Sequence, residues 1–189
     1  VLLLPSQLTR GHAERLQNAF EGLPVEVRPL PKAGMEDDPD ACFGHFDSEL
    51  ARLIAAGVPP AAITVDFTRG TKAMSAALVL AAVGRGTGDL RYICGQRERG
   101  LVKAGHEKVR DFDPALVNTR RDLDRAREFL DSLQFAAVEK LFPMGRNSWA
   151  MGLYPERLRA EAAIAGWLGA FWGAWDRFDY RRAVELLKD

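Results

Sequence analysis

Residues 61–83 constrain the fold more than any other stretch of this chain. Ala61-Ala62-Ile63-Thr64-Val65 is a short apolar run with the look of a buried strand, and Met74 to Val83 is alanine-rich and helical in pattern. Between them stand Asp66-Phe67-Thr68-Arg69-Gly70-Thr71-Lys72. A strand that passes through such a turn straight into a helix is half of a β-α-β unit, which implies a sheet with helices packed on it. The turn itself poses a question. Lys72 falls in the first helical turn, where the backbone dipole is already positive, and that costs about a few tenths of a kcal/mol unless an anion sits there.

The rest of the first half repeats the alternation. Leu2 to Leu4 reads as a buried strand, followed by the polar turn Pro5-Ser6-Gln7-Leu8-Thr9. A helix is expected from Gly11 to Glu21, with Leu16, Phe20 and Leu23 on one face and Gly22 as its stop. Val25-Glu26-Val27-Arg28 alternates like a half-exposed strand. Pro31 to Phe46 reads as a long irregular loop, and Asp47 to Ala56 as a helix ended by Gly57 and Pro59-Pro60. Gly84-Arg85-Gly86-Thr87-Gly88 is a turn, Arg91 to Cys94 a strand, and Leu101-Val102 with Val109 a short hairpin extension. The expected fold class is therefore α/β: a Rossmann-like, mostly parallel sheet covered by helices on both faces.

After Asp113-Pro114 the pattern becomes all-α. Leu123, Ala126, Leu130, Leu133, Ala137 and Leu141 recur at helical spacing, as do Ile164, Trp167, Leu168, Phe171, Trp172, Trp175 and Phe178. A loop from Pro143 to Pro155 separates these two helices, and Arg181 to Lys188 starts another. The tryptophan stripe reads as core. Two domains are expected, residues 1–113 and 114–189.

Composition excludes some partners. With 26 basic and 26 acidic residues among 189, bulk charge offers nothing to duplex DNA or an anionic membrane. No run approaches the roughly 20 apolar residues of a membrane span. Two widely separated cysteines, Cys42 and Cys94, form no disulfide framework, which favours a reducing, cytoplasmic setting. The start at Val1, directly in a strand-like run, leads to the expectation that something structural precedes it.

In a parallel sheet, ligands bind where loops leave the carboxyl ends of strands. Two such loops are rich in hydroxyls: Ser6-Gln7-Leu8-Thr9-Arg10 and Thr68-Arg69-Gly70-Thr71-Lys72. Each opens a helix whose free N–H groups favour an anion. Thr71 is placed to cap its helix, Gly70 lets the backbone approach closely, and Arg69 and Lys72 bring charge. The alternative is that Thr71 is a cap only and Lys72 a solvated surface residue. The order Gly70-Thr71-Lys72 is not a Walker phosphate loop. The glycines at 84, 86 and 88 follow a helix, so they are no dinucleotide fingerprint.

Asp66-Phe67-Thr68-Arg69-Gly70-Thr71-Lys72-Ala73-Met74 resembles the Asp-x-Thr-Gly-Gly-Thr-Lys-x-Met signature of CRISPR-associated Rossmann-fold (CARF) sensor domains. Leu2 to Thr9 is similar to that family's first strand-then-Ser/Thr motif, and Gly95 to Glu107 to its later strand-and-hairpin segment. The resemblance covers residues 1–111 and implies that the family's first strand and helix are missing before Val1. It implies a homodimeric sensor of cyclic oligoadenylate, the second messenger of type III CRISPR antiviral defence, with no cofactor and no metal. Carried over by position, Ser6 and Thr9 contact ribose or phosphate, with Gln7 and Arg10 in the same loop. Thr68, Gly70, Thr71 and Lys72 hold the phosphate backbone. Arg69 stands where the family has glycine. Some members cleave their ligand without metal, and for that reaction Lys72, Thr68 and Ser6 are the catalytic candidates.

The family usually joins its sensor to an effector, often a nuclease. Arg99 to His106 matches one ribonuclease spacing formally but falls in a strand-like segment. Cys42 and His45 have ligand-like spacing without a second pair, and His12 has no evident partner. Residues 114–189 thus read as a helical connector or partial effector region. The rival readings are a nucleotide-metabolising α/β enzyme, which needs an acid–base pair beyond Asp66, and a ligand-responsive transcription regulator, which needs a basic recognition helix. Leu158 to Trp175 is instead aromatic and nearly uncharged.

Overall fold

A computed structural model describes residues 1–98, 101–144 and 154–188, with backbone only at 97, 98 and 101. The chain is α/β and divides into two compact units, Val1–Pro114 and Ala115–Asp189.

The first unit opens with β1 (Leu2–Leu3), α1 (Arg10–Ala19) and β2 (Glu26–Val27), the two strands pairing in parallel. A single 3-10 turn at Met35–Asp37 leads into α2 (Pro39–Ala55). Then come β3 (Thr64–Asp66), α3 (Lys72–Arg85), β4 (Asp89–Cys94), the short hairpin of β5 (Arg97–Glu98) and β6 (Leu101–Val102), and β7 (Lys108–Phe112). β3 and β4 are parallel neighbours joined through α3, and β7 runs antiparallel to β4 in register Arg91 to Asp111. The hydrogen-bonded ladders are therefore small and separate: one parallel pair, one mixed three-stranded sheet and one hairpin. A single, mostly parallel ladder does not form among the described residues: β1, β2 and β3 have only two or three residues to pair, and the longest pairing, β4 with β7, is antiparallel.

Two expected boundaries move. Residues 31–46 are not one irregular loop, since α2 begins at Pro39. Asp38 caps it, accepting from the amides of Asp40 (3.0 Å) and Ala41 (3.1 Å), and Pro39 takes the first helical position, where a missing N–H costs nothing. Gly84 belongs to α3, and the stop is Gly86 at φ +67°. Gly88 does more than turn the chain. A Cβ there would lie 2.2 Å from the Ala61 carbonyl oxygen, and its amide donates to the carbonyls of Pro60 and Ile63.

The core forms where α2 meets α3. Cys42, Phe46 and Leu50 lie on one stripe of α2 and face Met74, Ala77 and Ala81 of α3, with Val65 of β3 and Leu90 of β4 beneath. Large side chains from one helix fill the space left by alanines on the other. Arg85 fastens the helices, its guanidinium forking onto Asp47 at 2.6 and 2.5 Å.

In the second unit every described element is helical: α4 (Ala115–Asp131), α5 (Phe135–Leu141), a 3-10 turn at Glu156–Leu158, α6 (Arg159–Asp176) and α7 (Tyr180–Leu186). The helix expected to run through Leu133 is broken there, with Leu133 at φ +58°; Phe178, at φ +59°, separates α6 from α7. The tryptophan stripe is not the core face of α6. Its buried residues are Ala162, Ala165, Gly166, Gly169, Ala170, Gly173 and Ala174, while Trp172 and Trp175 are 42% and 50% exposed. Small residues let α6 approach α5 closely, where Val138 and Phe142 are fully buried. Of the stripe, Trp167 is tied down by an indole hydrogen bond to the Leu186 carbonyl at 2.7 Å.

Candidate functional site

β3 ends at Asp66 and α3 begins at Lys72, so the turn between them lies at the carboxyl edge of the β3–β4 ladder. Pairing continues past the strand end. The Phe67 amide donates to the Arg91 carbonyl at 3.1 Å, and the Thr68 side chain then replaces the backbone, its Oγ1 accepting from the Ile93 amide at 2.7 Å. Asp66 bends the chain by accepting from the Thr68 amide at 2.8 Å, an Asx turn. Gly70 takes φ +118°, where an L side chain is strained and a Cβ would press on Met74 at 3.2 Å.

Thr71 caps α3, its Oγ1 accepting from the Met74 amide at 3.2 Å. Its hydroxyl proton goes to the carbonyl of Glu36. The threonine is thus used both as donor and acceptor inside the protein. The amides of Lys72 and Ala73, at the first two helical positions, have no preceding carbonyl to bond. Arg69 and Lys72 are exposed, and among the described residues neither makes an ion pair or a side-chain hydrogen bond. This corner accordingly offers two unpartnered cations and a helix N-terminus, with Thr68, Gly70 and Thr71 holding its shape.

The first hydroxyl-bearing turn is organised differently. Ser6 is buried, with its Oγ 3.1 Å from Thr9 Oγ1, and the Thr9 amide and hydroxyl both return to the Ser6 carbonyl. Thr9 precedes α1, which starts at Arg10 rather than Gly11, but gives it no side-chain cap. Gln7 donates to the Leu30 carbonyl at 2.6 Å, and Arg10 pairs with Glu14 at 2.7 Å. Ser6, Gln7 and Arg10 therefore have partners within the fold.

No hydrogen bond among the described residues joins the two turns directly. One segment touches both. The Leu30 amide donates to the Pro5 carbonyl at 2.9 Å, and six residues on, the Glu36 carbonyl receives Thr71. Glu36 is 8% exposed, and its carboxylate accepts from the Gly34 amide at 2.9 Å. This bridging segment lies in the stretch that its glycines and prolines mark as a loop. The one sequence signal for its order is the Asp38-Pro39 pair that anchors its far end.

Other candidates disperse. Cys42 faces the core, with Sγ bonded to the Met35 carbonyl at 3.1 Å; burial pushes its thiol pKa up, and the carboxylates of Asp38, Glu36 and Asp37 add to the shift. His45 Nε2 lies 3.3 Å from the Arg28 carbonyl, so Cys42 and His45 do not point at a common ligand. His12 is exposed on α1. His106 lies between β6 and β7, not on a helix, and Arg99 is outside the described residues. No cluster of three or more metal-binding side chains occurs among the described residues, and no described helix is long and apolar enough to cross a membrane.

No protein-family model and no curated protein matches this chain.

Proposed function

We propose that the first unit is a CARF-like sensor domain that binds cyclic oligoadenylate, with α3 and the turn before it gripping the phosphodiester ring, and that it works as a homodimer in type III CRISPR defence. The observation that carries this reading is the pair of exposed, unpartnered cations, Arg69 and Lys72, at a helix N-terminus shaped by Gly70 and capped by Thr71. Cations in that place are unfavourable to the helix by themselves, and a polyanion reverses the sign. The parallel pairing of β3 and β4 through α3 supports this reading, since in Rossmann-like sheets, the finer fold assigned to this unit here, ligands enter at the carboxyl ends of such strands.

Because Thr71 and Ser6 already have internal partners, Lys72, Arg69, the hydroxyl proton of Thr68 and the first α3 amides are the groups assigned to the ligand. Ring cleavage, where it occurs, draws on Lys72 to stabilise charge developing on phosphate. Calorimetric titration of the full chain with cyclic tri-, tetra- and hexa-adenylate, against mononucleotides, tests the reading. One ring is expected to bind, and Lys72→Ala to weaken it by at least about tenfold, the loss of a charge-assisted hydrogen bond, with the melting temperature unchanged. Undiminished affinity in that variant refutes the assignment.

A further inference from the structure

Phe67 and Tyr92 are neighbours on adjacent parallel strands. Asp66 pairs with Arg91, and the Phe67 amide continues the ladder by donating to the Arg91 carbonyl. Each aromatic stands two residues beyond a core side chain, Val65 and Leu90, so both rings fall on the face that carries the core. The rings stack with centroids 5.4 Å apart and 22° between their planes. Both are half-buried, at the rim where the core ends beneath the start of α3; there Ser75 Oγ donates to the Phe67 carbonyl at 3.3 Å.

The residues just after Phe67 give this rim its chemistry. Arg69, Gly70 and Lys72 are all on or next to the exposed turn, so a flat aromatic surface and two unpartnered cations occur together within residues 67–72 and the adjoining strand. A nucleotide presents the same two features, a flat base and an anionic phosphodiester. Base–aromatic stacking beside a cationic track is how proteins hold single-stranded nucleotides.

We propose that the Phe67–Tyr92 pair is the base-stacking platform of this site, receiving a purine base of a phosphodiester-linked ligand whose phosphate is held by Lys72 and Arg69. The inference rests on the ligand class proposed above and adds how the base is recognised. Purines stack over a larger area than pyrimidines, so the platform selects the base as well as holding it. If the rings are a core edge only, binding is blind to base identity.

The test is calorimetric titration of the full chain with cyclic tetra-adenylate and cyclic tetra-uridylate, for wild type, Tyr92→Leu, Phe67→Leu, Tyr92→Phe and Lys72→Ala. Wild type is expected to prefer the adenylate ring. Tyr92→Leu and Phe67→Leu each lower that affinity about 5- to 150-fold and narrow the preference, Tyr92→Phe retains both, and Lys72→Ala weakens the two rings alike. Wild-type adenylate affinity in folded Tyr92→Leu and Phe67→Leu, with Lys72→Ala impaired, overturns the platform and leaves the anion site standing. Equal affinity of wild type for the two rings also overturns the platform, including where the leucine variants fail to fold. Failure of wild type to bind either ring overturns the platform and the ligand class together.

Discussion

Two helices in each unit end with the same backbone device and opposite residues. In the first, α2 closes on Gly57 and α3 on Gly86. In the second, α4 closes on Leu133 and α6 on Phe178. Each of the four residues adopts positive φ, and each is flanked by the paired hydrogen bonds of a Schellman motif: Gly57 to Ile54 with Val58 to Leu53, Gly86 to Val83 with Thr87 to Ala82, Leu133 to Leu130 with Gln134 to Phe129, and Phe178 to Trp175 with Asp179 to Ala174. The glycines of the second unit are placed where the first keeps bulk. Gly166, Gly169 and Gly173 line the buried face of α6, whereas Phe46, Leu50 and Met74 fill the α2–α3 core. At these helices the first unit uses glycine for conformation and the second for close approach, although Gly88 shows that the first unit also uses glycine for close approach outside its helices. A helix stop thus needs a backbone shape, and the residue supplying it depends on where small side chains are already committed.

The largest expected effect probes the buried face. Gly169→Ala introduces a Cβ 2.9 Å from Val138 Cβ and 3.2 Å from the Glu139 amide, and is expected to destabilise the second unit by about 1–3 kcal/mol through overpacking. All four tryptophans lie beyond residue 147, so tryptophan fluorescence during urea unfolding reports this unit alone. An unchanged midpoint would remove the close α5–α6 contact from the comparison.

A reciprocal pair of substitutions comes next. Gly86→Ala meets nothing within 4 Å, so its expected cost of about 1–2 kcal/mol is conformational only. Leu133→Gly, at a residue 72% exposed, relieves the same strain and adds unfolded-chain entropy, for a net gain of up to about 1 kcal/mol. Circular dichroism monitors the first and tryptophan fluorescence the second. Should both glycine-to-alanine and leucine-to-glycine changes destabilise, the αL equivalence of the two stops fails.

The smallest effect concerns the ion pairs between helices. Asp47 is held below the usual carboxylate range by its hydrogen bonds to Arg85, so the pair stabilises the first unit above about pH 4 and that stability is lost as pH falls through the depressed pKa. Both side chains are about one-third exposed, so the effect is modest and shrinks with salt. Asp47→Asn should flatten the acid limb of the first unit's stability profile while leaving the second unit's tryptophan transition where it was. In the second unit the corresponding contact, Arg177 to Glu139, is longer at 3.9 Å.

Legibility from residues alone tracks this division. The β3–turn–α3 unit is legible because every local signal agrees: β-branched residues in the strand, Gly70 in the turn, Thr71 as the cap and alanines in the helix. The stop at Gly57 is legible for the same reason, whereas three glycines at 84, 86 and 88 leave the end of α3 open, and it falls at Gly86 rather than before Gly84. Leu133 keeps the helical period of its neighbours, so nothing local separates α4 from α5, whereas a separate helix after Phe178 is expected from Arg181 and forms from Tyr180. The aromatic stripe of α6 misleads because large apolar side chains suggest burial, yet two helices approach most closely across glycine and alanine.

The candidate site divides in the same way. The chemistry of residues 66–74 is written locally: a hydroxyl cap, a glycine turn and two cations at the mouth of a helix depend only on neighbours along the chain. Tertiary structure decided which of those groups are free. Thr71 gives its proton to Glu36 and Thr68 accepts from the Ile93 amide, leaving Arg69 and Lys72 outward, and it set Phe67 against Tyr92 across a strand pair. The physical reason is that a hydrogen-bonding group or a ring is satisfied by whatever the fold brings within a few ångströms, and partners 25 to 35 residues away leave no periodicity in the sequence.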